Sequence, residues 1–251
     1  MKSKGINAFQ LKLFMAFFMV FDHISQIPGL VPDGWDGVLH ALTRCVGAAF
    51  AFMAVEGFLH THNRLAYNMR LFFWAALMQT GNCILTLLFQ EKGIYLTHNI
   101  FLTLACGVLM LSLFFGFSDN GGVAKNRKRG LRLTAGVLVL LAGLVFSEGG
   151  MALLPFMLLT YLFRNQVFFR NLSYVVWAGI LFAMSIQIYP TLQDTLSMLL
   201  YNSDWLFISV LPLLHFYNGE RGSNSKWSKY FFYIFYPAHL WLIALIAFWV
   251  K

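Results

Sequence analysis

Two adjacent polar residues, Asp22 and His23, lie near the end of an otherwise apolar run in the stretch MVFDHISQ, residues 19–26. Placing an ionisable side chain in the hydrocarbon region of a membrane costs roughly a few kcal/mol of free energy or more unless it has a partner, so its presence indicates a functional role. An imidazole can take a proton from a substrate or carry an acyl group. Asp and His side chains also relay protons in transporters. The pair therefore predicts either acid–base chemistry or proton transfer.

The chain that must position these residues is too apolar for a soluble protein. Of its 251 residues, 59% are hydrophobic and 11% are charged, against roughly 25% charged residues in a soluble domain. Apolar segments separated by short polar breaks take up almost the whole length, which leaves no room for a soluble catalytic domain. We therefore predict an all-α, polytopic integral membrane protein with one domain over residues 1–251, in contact with the lipid bilayer and not with nucleic acid.

The apolar segments predict about nine transmembrane helices, with a range of eight to ten, because a helix needs roughly 20 residues to cross a bilayer. The predicted spans are residues 6–28, 37–60, 68–90, 98–118, 131–147, 149–163, 172–190, 196–217 and 230–250. The stretch FSEGGM, residues 146–151, predicts a tight turn between two short spans. A longer polar linker is predicted at Ser118–Gly130.

The basic residues, which give the chain its net charge of +8, predict its orientation. If the N-terminus is cytoplasmic, the inner ends of the spans collect Lys2, Lys4, Arg64, Arg70, Lys125, Arg127, Lys128, Arg129, Arg132, Arg164, Arg170, Arg221, Lys226 and Lys229. Lys92 and Lys251 fall on the outer side, and Lys12 and Arg44 fall within spans. The positive-inside rule therefore favours a cytoplasmic N-terminus and an external C-terminus.

This topology gives each embedded polar residue a depth. Asp22 and Arg44 both fall roughly 9 Å below the outer surface, so they are natural charge partners. Asp22 and His23 point about 100° apart on a helix, so one should face Arg44 and the other should face something else. The structural alternative is an Asp–Arg pair with a hydrogen-bonded histidine nearby.

Other polar residues enter at the same outer level, and we expect them to form a small polar cavity. They are His40, the residues Thr97–Asn99 that open the fourth span, and Glu148 in the tight turn. His98, Asn99 and Glu148 are the candidates for binding a substrate there.

A second polar group is predicted at the inner ends of two spans. Glu56 and His60 are four residues apart and share a helix face, and Arg64 continues the stripe at the next i+4 position. The stretch FYNGERG, residues 216–222, contributes Asn218, Arg221 and two glycines. Arginine side chains and backbone N–H groups beside glycines can bind a phosphate, although an ordinary basic membrane edge fits the spacing as well.

The last predicted span begins near Lys229 and carries Tyr236, Pro237 and His239. His239 falls about 15 Å from the inner end, close to the bilayer midplane. Pro237 leaves a backbone carbonyl around Tyr233 without its helical donor, which gives His239 or a water a potential partner. A lone histidine in a span is otherwise most often a hydrogen-bonded packing residue.

The order and spacing of these motifs resemble the TraX family of membrane acetyltransferases. The resemblance rests on NAFQLK (residues 7–12), DH (22–23), Arg44, EGFLHT (56–61), HNIF (98–101), YNGERG (217–222) and KYFFYIFYPAHL (229–240). The chain departs from the family pattern at TRCVGAAFAF, where a proline is missing after Arg44, and at SEGGM, where the pattern has EYG.

The resemblance implies an acetyltransferase of the bacterial cytoplasmic (inner) membrane that takes acetyl from cytoplasmic acetyl-CoA. Its acceptor would be an amine or hydroxyl on a protein such as a pilin N-terminus, or on a surface glycan or lipid. The first-span histidine, here His23, is the catalytic residue that the resemblance implies. Asp22 and Arg44 would set its electrostatic surroundings, and His239 would lie along the pantetheine arm of the coenzyme. The inner group of Glu56, His60, Arg64, Asn218, Arg221, Lys229 and Tyr236 would bind acetyl-CoA, and no metal is expected.

Two other functions fit the same residues. A small proton-coupled transporter could use His23, Asp22 and His239 as a proton relay, although no repeated halves are present in the sequence. A non-catalytic membrane assembly factor is the third possibility. Binding and turnover of labelled acetyl-CoA would separate the three.

Overall fold

The computed structural model describes residues 5–32, 34–116, 123–223 and 225–251, and these residues are largely α-helical. The helices are α1 (Ala8–His23), α2 (Trp35–Thr43), α3 (Cys45–His60), α4 (Arg64–Phe89), α5 (Ile100–Phe115), α6 (Val123–Phe146), α7 (Gly150–Leu162), α8 (Val167–Ser185), α9 (Leu192–Tyr201), α10 (Val210–Phe216) and α11 (Lys226–Val250). Short 3₁₀ turns follow α1, α4 and α9. The predicted all-α architecture is confirmed.

Each of the nine predicted ranges contains all or part of one or two of these helices. Six segments of the described chain are long and apolar enough to cross a bilayer: Ala8–Gln26, Trp35–His60, Arg64–Lys92, Lys128–Phe146, Val167–Ser185 and Trp227–Val250. The segments Leu192–Tyr201 and Ser203–Phe216 are bent by 59° and together make a further apolar run, while α5 and α7 are shorter apolar helices. The protein is therefore a multi-pass helical membrane protein.

Several helix boundaries differ from the predicted spans, among them the beginnings of α4 and α6. Helix α4 begins at Arg64, four residues before the predicted span, because the Asn63 side chain accepts a hydrogen bond from the Ala66 N–H (2.8 Å) and caps the helix. Helix α6 begins at Val123, so the second half of the predicted linker Ser118–Gly130 is helical. The residues before Val123 in that linker, with Lys2, Lys4 and Asp33, lie outside the described residues.

The predicted tight turn lies between α6 and α7. Helix α6 ends at Phe146 and α7 begins at Gly150, and Gly149 adopts the left-handed conformation (φ 61°) that glycine tolerates without strain. The prediction of a turn in FSEGGM is therefore confirmed.

The chain divides into two compact units. The terminal unit comprises the residues up to Phe50, Thr80–Thr97 and Tyr174–Lys251, and the central unit comprises Ala51–Gln79 and His98–Ser173. The prediction of a single functional domain over residues 1–251 stays a prediction. Each unit is described by itself below.

In the terminal unit, α1 packs along α11, and α11 is held at two positions along its length. The Phe232 ring lies 6.3 Å from that of Phe9 and 5.7 Å from that of Phe50. Further along α11, the Trp241 indole packs on Gly81 and donates a hydrogen bond to Asn82 (3.0 Å). These contacts fix the rotation of α11 and hence the direction of its polar side chains.

The start of α1 is tied to the loop that precedes α11. The Ile6 N–H donates to the Phe216 carbonyl (2.9 Å), the Asn218 N–H donates to the Ile6 carbonyl (3.0 Å), and the Ala8 N–H donates to the Glu220 carbonyl (2.8 Å). Asn7 caps α1 through a reciprocal pair of hydrogen bonds with Gln10. The loop that carries Asn218 and Arg221 is thereby held at the N-terminal end of α1.

Candidate functional site

The Asp22 carboxylate is the centre of a polar network at the C-terminal end of α1. Arg44 Nη2 donates to Asp22 Oδ1 (3.2 Å), and the Thr43 hydroxyl donates to the same oxygen (2.6 Å). His40 Nδ1 lies 3.3 Å from this oxygen. The predicted pairing of Asp22 with Arg44 is present, and it is reinforced by the hydroxyl of Thr43.

Arg44 connects this carboxylate to a second acid. Its Nη1 donates to Asp204 Oδ1 (3.4 Å), its Nε donates to the His40 carbonyl (3.2 Å), and its Nη2 lies 3.0 Å from His40 Nδ1. The sequence alone does not connect Asp204 with Arg44. The two residues are 160 positions apart, and only the fold brings them together.

His23 is buried and lies between Asp22 and α11. Its Nε2 is 3.8 Å from Asp22 Oδ2, which is longer than a hydrogen bond, and its Nδ1 is 3.5 Å from the Gln26 side-chain nitrogen. On the other side, its ring centroid lies 5.6 Å from that of His239. The two neighbours thus diverge as predicted, since Asp22 faces Arg44 and His23 faces His239.

His239 is buried against aromatic rings of its own helix. It stacks on Phe235 at 5.0 Å with an interplanar angle of 13°, and Tyr236 lies 5.7 Å away. Its Nδ1 lies 3.0 Å from the Phe235 carbonyl, one turn earlier. A carbonyl can only accept, so Nδ1 carries the hydrogen and Nε2 carries the lone pair of the neutral ring. Tyr236, expected in the coenzyme group, therefore lies beside His239.

The other predicted residues of the terminal unit lie at the opposite end of α1. Arg221 and Lys229 are exposed, and Asn218 accepts a hydrogen bond from the Glu220 N–H (2.9 Å). Gly219 and Gly222 both have positive φ (76° and 78°), and a side chain on Gly222 would collide with Asn7. The loop conformation therefore requires these glycines.

Sequence reasoning missed the role open to Lys12, one turn into α1. Lys12 is half-buried, its ammonium lies 5.6 Å from the centroid of the Phe232 ring, and its charge interacts repulsively with that of Arg221. In the part of the chain that the structure describes, no carboxylate forms an ion pair with Lys12. The positive charges of Lys12 and Arg221 favour an anionic ligand at this end of α1.

In the central unit, the predicted stripe of Glu56, His60 and Arg64 is right for its first pair and wrong for its third member. His60 Nδ1 lies 3.9 Å from Glu56 Oε2 and 2.9 Å from the Glu56 carbonyl. Arg64 opens the next helix instead of continuing α3, because Asn63 begins a new capped helix. The Arg64 guanidinium lies over the Phe58 ring (4.5 Å) and donates to the Gly116 carbonyl (3.2 Å).

The three residues predicted to bind substrate also lie in the central unit. His98 Nδ1 lies 2.9 Å from Glu148 Oε1. The buried Asn99 amide donates to the Ala75 carbonyl (3.0 Å) and the Gln79 side chain (3.2 Å). His98 and Glu148 thus form one site with each other, while their predicted convergence with His23 stays a prediction.

Within the described ranges, no group of three or more His, Cys, Asp or Glu side chains is arranged to hold a metal ion. The polar sites are instead built from charge pairs, imidazoles and backbone carbonyls. They could bind an anion, accept a proton or hold an acyl group.

Comparison with known proteins identifies a family. A protein from Dichelobacter nodosus, described as "Probable fimbrial assembly protein FimC, serogroup H1", is 26% identical over 245 residues, which cover 94% of each chain. No solved structure matches the chain. The model of the family described as "TraX protein" matches residues 8–247. Because that match takes in nearly the whole chain, including both polar ends of α1, the protein belongs to the TraX family.

Proposed function

We propose that this protein is a membrane-embedded acyltransferase that moves acetyl from cytoplasmic acetyl-CoA to an acceptor amine or hydroxyl. The observation that carries the proposal is the arrangement along α1, where two cations lie near one end and two buried histidines meet at the other. The resemblance of the motifs to membrane acetyltransferases supports the same reading.

The phosphates of acetyl-CoA would bind at the basic end. Lys12 and Arg221 provide two cations there, with Lys229 exposed at the start of α11. Arginine and lysine side chains are the usual partners of phosphate groups in proteins. Asn218, in the same loop as Arg221, is a further candidate for a coenzyme contact. The predicted coenzyme contacts of Arg64, Glu56 and His60 stay predictions.

The length of α1 suits the coenzyme. Lys12 and His23 are separated by roughly 16 Å along the axis, at 1.5 Å per residue. An extended pantetheine arm has a similar length, so phosphates held near Lys12 would place the thioester beside His23 and His239. The whole route lies within the terminal unit.

The transfer itself can follow either of two courses. In direct transfer, His23 takes a proton from the acceptor nitrogen or oxygen as that atom attacks the acetyl carbonyl; the C–S bond breaks, and the departing sulfur takes the proton. In the stepwise course, an unprotonated His23 nitrogen attacks the carbonyl and CoA leaves as the thiol, so that the acceptor then displaces the imidazole. Asp22 and Arg44 would orient His23 and set its electrostatic surroundings in both courses.

The acceptor is proposed from the relative's description. Because that protein is described as a probable fimbrial assembly protein, a pilin-type amino terminus is the first acceptor to examine, ahead of a surface glycan or a lipid-linked sugar. The proposed location is the bacterial cytoplasmic membrane, with the N-terminus in the cytoplasm where acetyl-CoA is made available.

Mass spectrometry of surface proteins, glycans and lipids tests the proposal in cells. A strain lacking the gene should lose the mass of one acetyl group from a defined product. The wild-type gene should restore that mass, and a gene encoding His23→Ala should not. If no product changes in the deletion strain, the acyltransferase proposal is wrong.

A further inference from the structure

Three aromatic rings meet at one end of the central unit. The ring of Phe58, near the end of α3, lies 5.8 Å from the ring of Tyr161, near the end of α7. The Tyr161 ring also stacks on that of Phe115, the last residue of α5, with centroids 4.5 Å apart and an interplanar angle of 23°. Phe58 is fully buried. The ends of α3, α5 and α7 are therefore joined by one aromatic cluster.

Two arginines lie on this cluster. The Arg64 guanidinium carbon is 4.5 Å from the centroid of the Phe58 ring, and that of Arg164 is 4.4 Å from the centroid of the Tyr161 ring. Arg64 Nη1 donates to the Gly116 carbonyl (3.2 Å). Arg164 Nη1 donates to the carbonyl of Tyr161 (2.8 Å). The ring contact and the hydrogen bond position each guanidinium, and a guanidinium with five N–H donors can still bind a ligand through the others.

The carboxylates of this unit do not neutralise the two arginines. Within the ranges that the structure describes, the central unit contains two carboxylates, Glu56 and Glu148. Each pairs with a histidine, and the charge of Glu56 also interacts with that of Arg170. The ion pairs of the described residues include neither Arg64 nor Arg164. Their positive charges therefore favour an anion at this end of the unit.

Both arginines lie where apolar segments begin or end. Arg64 is the first residue of Arg64–Lys92, which is long and apolar enough to cross a bilayer. Arg164 lies between the apolar helix α7 and the apolar segment Val167–Ser185. An arginine at the end of a membrane span places its guanidinium at the level of the lipid headgroups. The anion that these arginines favour would therefore be bound in the headgroup layer.

An exposed apolar stripe on α4 begins beside Arg64. Leu65, Met69 and Phe73 follow one another at intervals of four residues and share one face of α4. Their exposed fractions are 72%, 58% and 61%. A soluble phosphate compound makes no contact that would cover such a surface, whereas the acyl chains of a phospholipid do. A cationic headgroup site that continues into an apolar stripe fits a phospholipid.

We infer that Arg64 and Arg164 bind the phosphate of an anionic phospholipid whose acyl chains lie along the exposed face of α4. Arginine is well suited to phosphate, because its planar fork donates two hydrogen bonds at once. A negatively charged lipid is favoured over a zwitterionic one, since no described carboxylate offsets the two cations. The inference does not depend on the proposed acyltransferase function, and it gives Arg64 a ligand other than the predicted coenzyme.

Native mass spectrometry of the purified full-length protein in detergent tests the inference. The protein is titrated with phosphatidylglycerol, which is anionic, or with phosphatidylcholine, which is zwitterionic. The wild type should bind phosphatidylglycerol more tightly. Arg64→Gln and Arg164→Gln should each weaken that binding roughly tenfold and leave the binding of phosphatidylcholine unchanged. Arg129→Gln, which removes an exposed charge on α6 of the same unit, is the matched control and should bind both lipids as the wild type does.

Variants of Tyr161 test the contribution of the ring. Tyr161→Leu keeps both arginines but removes the ring beneath Arg164, so it should weaken the binding of phosphatidylglycerol. Tyr161→Phe keeps the ring and should bind like the wild type. If Arg64→Gln lowers the melting temperature, Arg164→Gln decides, because Arg164 is exposed and lies outside the helices.

Three results would overturn the inference. The first is equal affinity of the wild type for the two lipids, and the second is wild-type affinity for phosphatidylglycerol in folded Arg164→Gln. The third is displacement of bound phosphatidylglycerol by glycerol 3-phosphate or acetyl-CoA, which would assign the two arginines to a soluble phosphate or to the coenzyme. Acetyl transfer by the same preparation is measured separately, so the acyltransferase proposal stands or fails independently.

Discussion

The rings of His23 and His239 lie 5.6 Å apart, centroid to centroid, although 216 positions separate the two residues in the sequence. His23 closes the first helix, and His239 lies in the middle of the last. Each has a polar partner on its far side, which is Asp22 for His23 and the Phe235 carbonyl for His239. The first and last helices thus form a two-imidazole site inside the terminal unit.

Removing the charge of Asp22 should weaken this site without abolishing it. Asp22→Asn removes one of the two carboxylates paired with Arg44, leaving Asp204, and it removes the charged acceptor of the Thr43 hydroxyl. We expect a loss of about 1–3 kcal/mol of stability and a partial loss of turnover, measured by thermal unfolding and by CoA release.

Asp36→Asn is the matched control for this prediction, because Asp36 is exposed in the first turn of α2. It should change neither quantity appreciably. Unchanged stability and turnover in Asp22→Asn would show that the network around Asp22 contributes little.

Lys12 should act on coenzyme affinity. Lys12→Met keeps most of the side-chain length but removes a positive charge that interacts with that of Arg221, so the KM for acetyl-CoA should rise about tenfold, equivalent to roughly 1.4 kcal/mol, with kcat little changed. Lys12→Arg should keep most of the affinity.

Lys128→Met, which removes an exposed charge on α6, is the control for Lys12. Its KM should match that of the wild type. Equal KM values for Lys12→Met and the wild type would place the phosphates elsewhere.

Gly81 should be needed for the position of α11. A methyl group at Gly81 would occupy the space of the Trp241 indole, two residues beyond His239. Gly81→Ala should therefore destabilise the protein by about 1–3 kcal/mol and reduce turnover, because α11 must shift.

Gly179→Ala is the control for Gly81→Ala and should not destabilise the protein. Gly179 lies in α8 with nothing within 4 Å of an added methyl group, so alanine should be neutral or stabilising by up to about 1 kcal/mol. Thermal unfolding of both variants in the same detergent measures the difference. Equal melting temperatures would show that Trp241 moves aside without cost.

The orientation of the chain gives a prediction for reporter fusions. If the N-terminus is cytoplasmic and all nine predicted spans cross the membrane, alkaline phosphatase fused after Lys251 should be active, because it folds only outside the cytoplasm. Phosphatase fused within the loop at Ser223 should be inactive. The reverse pattern would invert the topology and move the basic end of α1 away from cytoplasmic acetyl-CoA.

The depth of each polar residue in the bilayer, counted along its predicted helix, is the sequence property that best predicts the site. Asp22 and Arg44 were paired because two charges at one depth in neighbouring spans have few other partners, and the structure contains that pair. Depth could not identify Asp204 as the second partner of Arg44, because a bend after α9 determines where that residue lies.

The wrong prediction for Arg64 has a local cause, and the omission of Lys12 has a long-range one. The i+4 rule joined Arg64 to His60 because it assumes an unbroken helix, and Asn63 breaks it by capping α4. The sequence does not predict the interaction between Lys12 and Arg221, because 209 positions separate them. The interaction depends on the hydrogen bonds between residues 5–8 and the loop at 216–220. Contacts of this kind depend on the packing of distant segments.

The most direct measurement is the release of CoA from acetyl-CoA by the purified protein, with wild type and His23→Ala compared at equal folded concentration in the presence of a peptide amine. The wild type should bind acetyl-CoA, release CoA and label the peptide. His23→Ala should keep the melting temperature and the coenzyme affinity and lose turnover by roughly 10²- to 10⁴-fold. Turnover in His23→Ala equal to that of the wild type, or no binding and no CoA release by the wild type, would contradict the central claim.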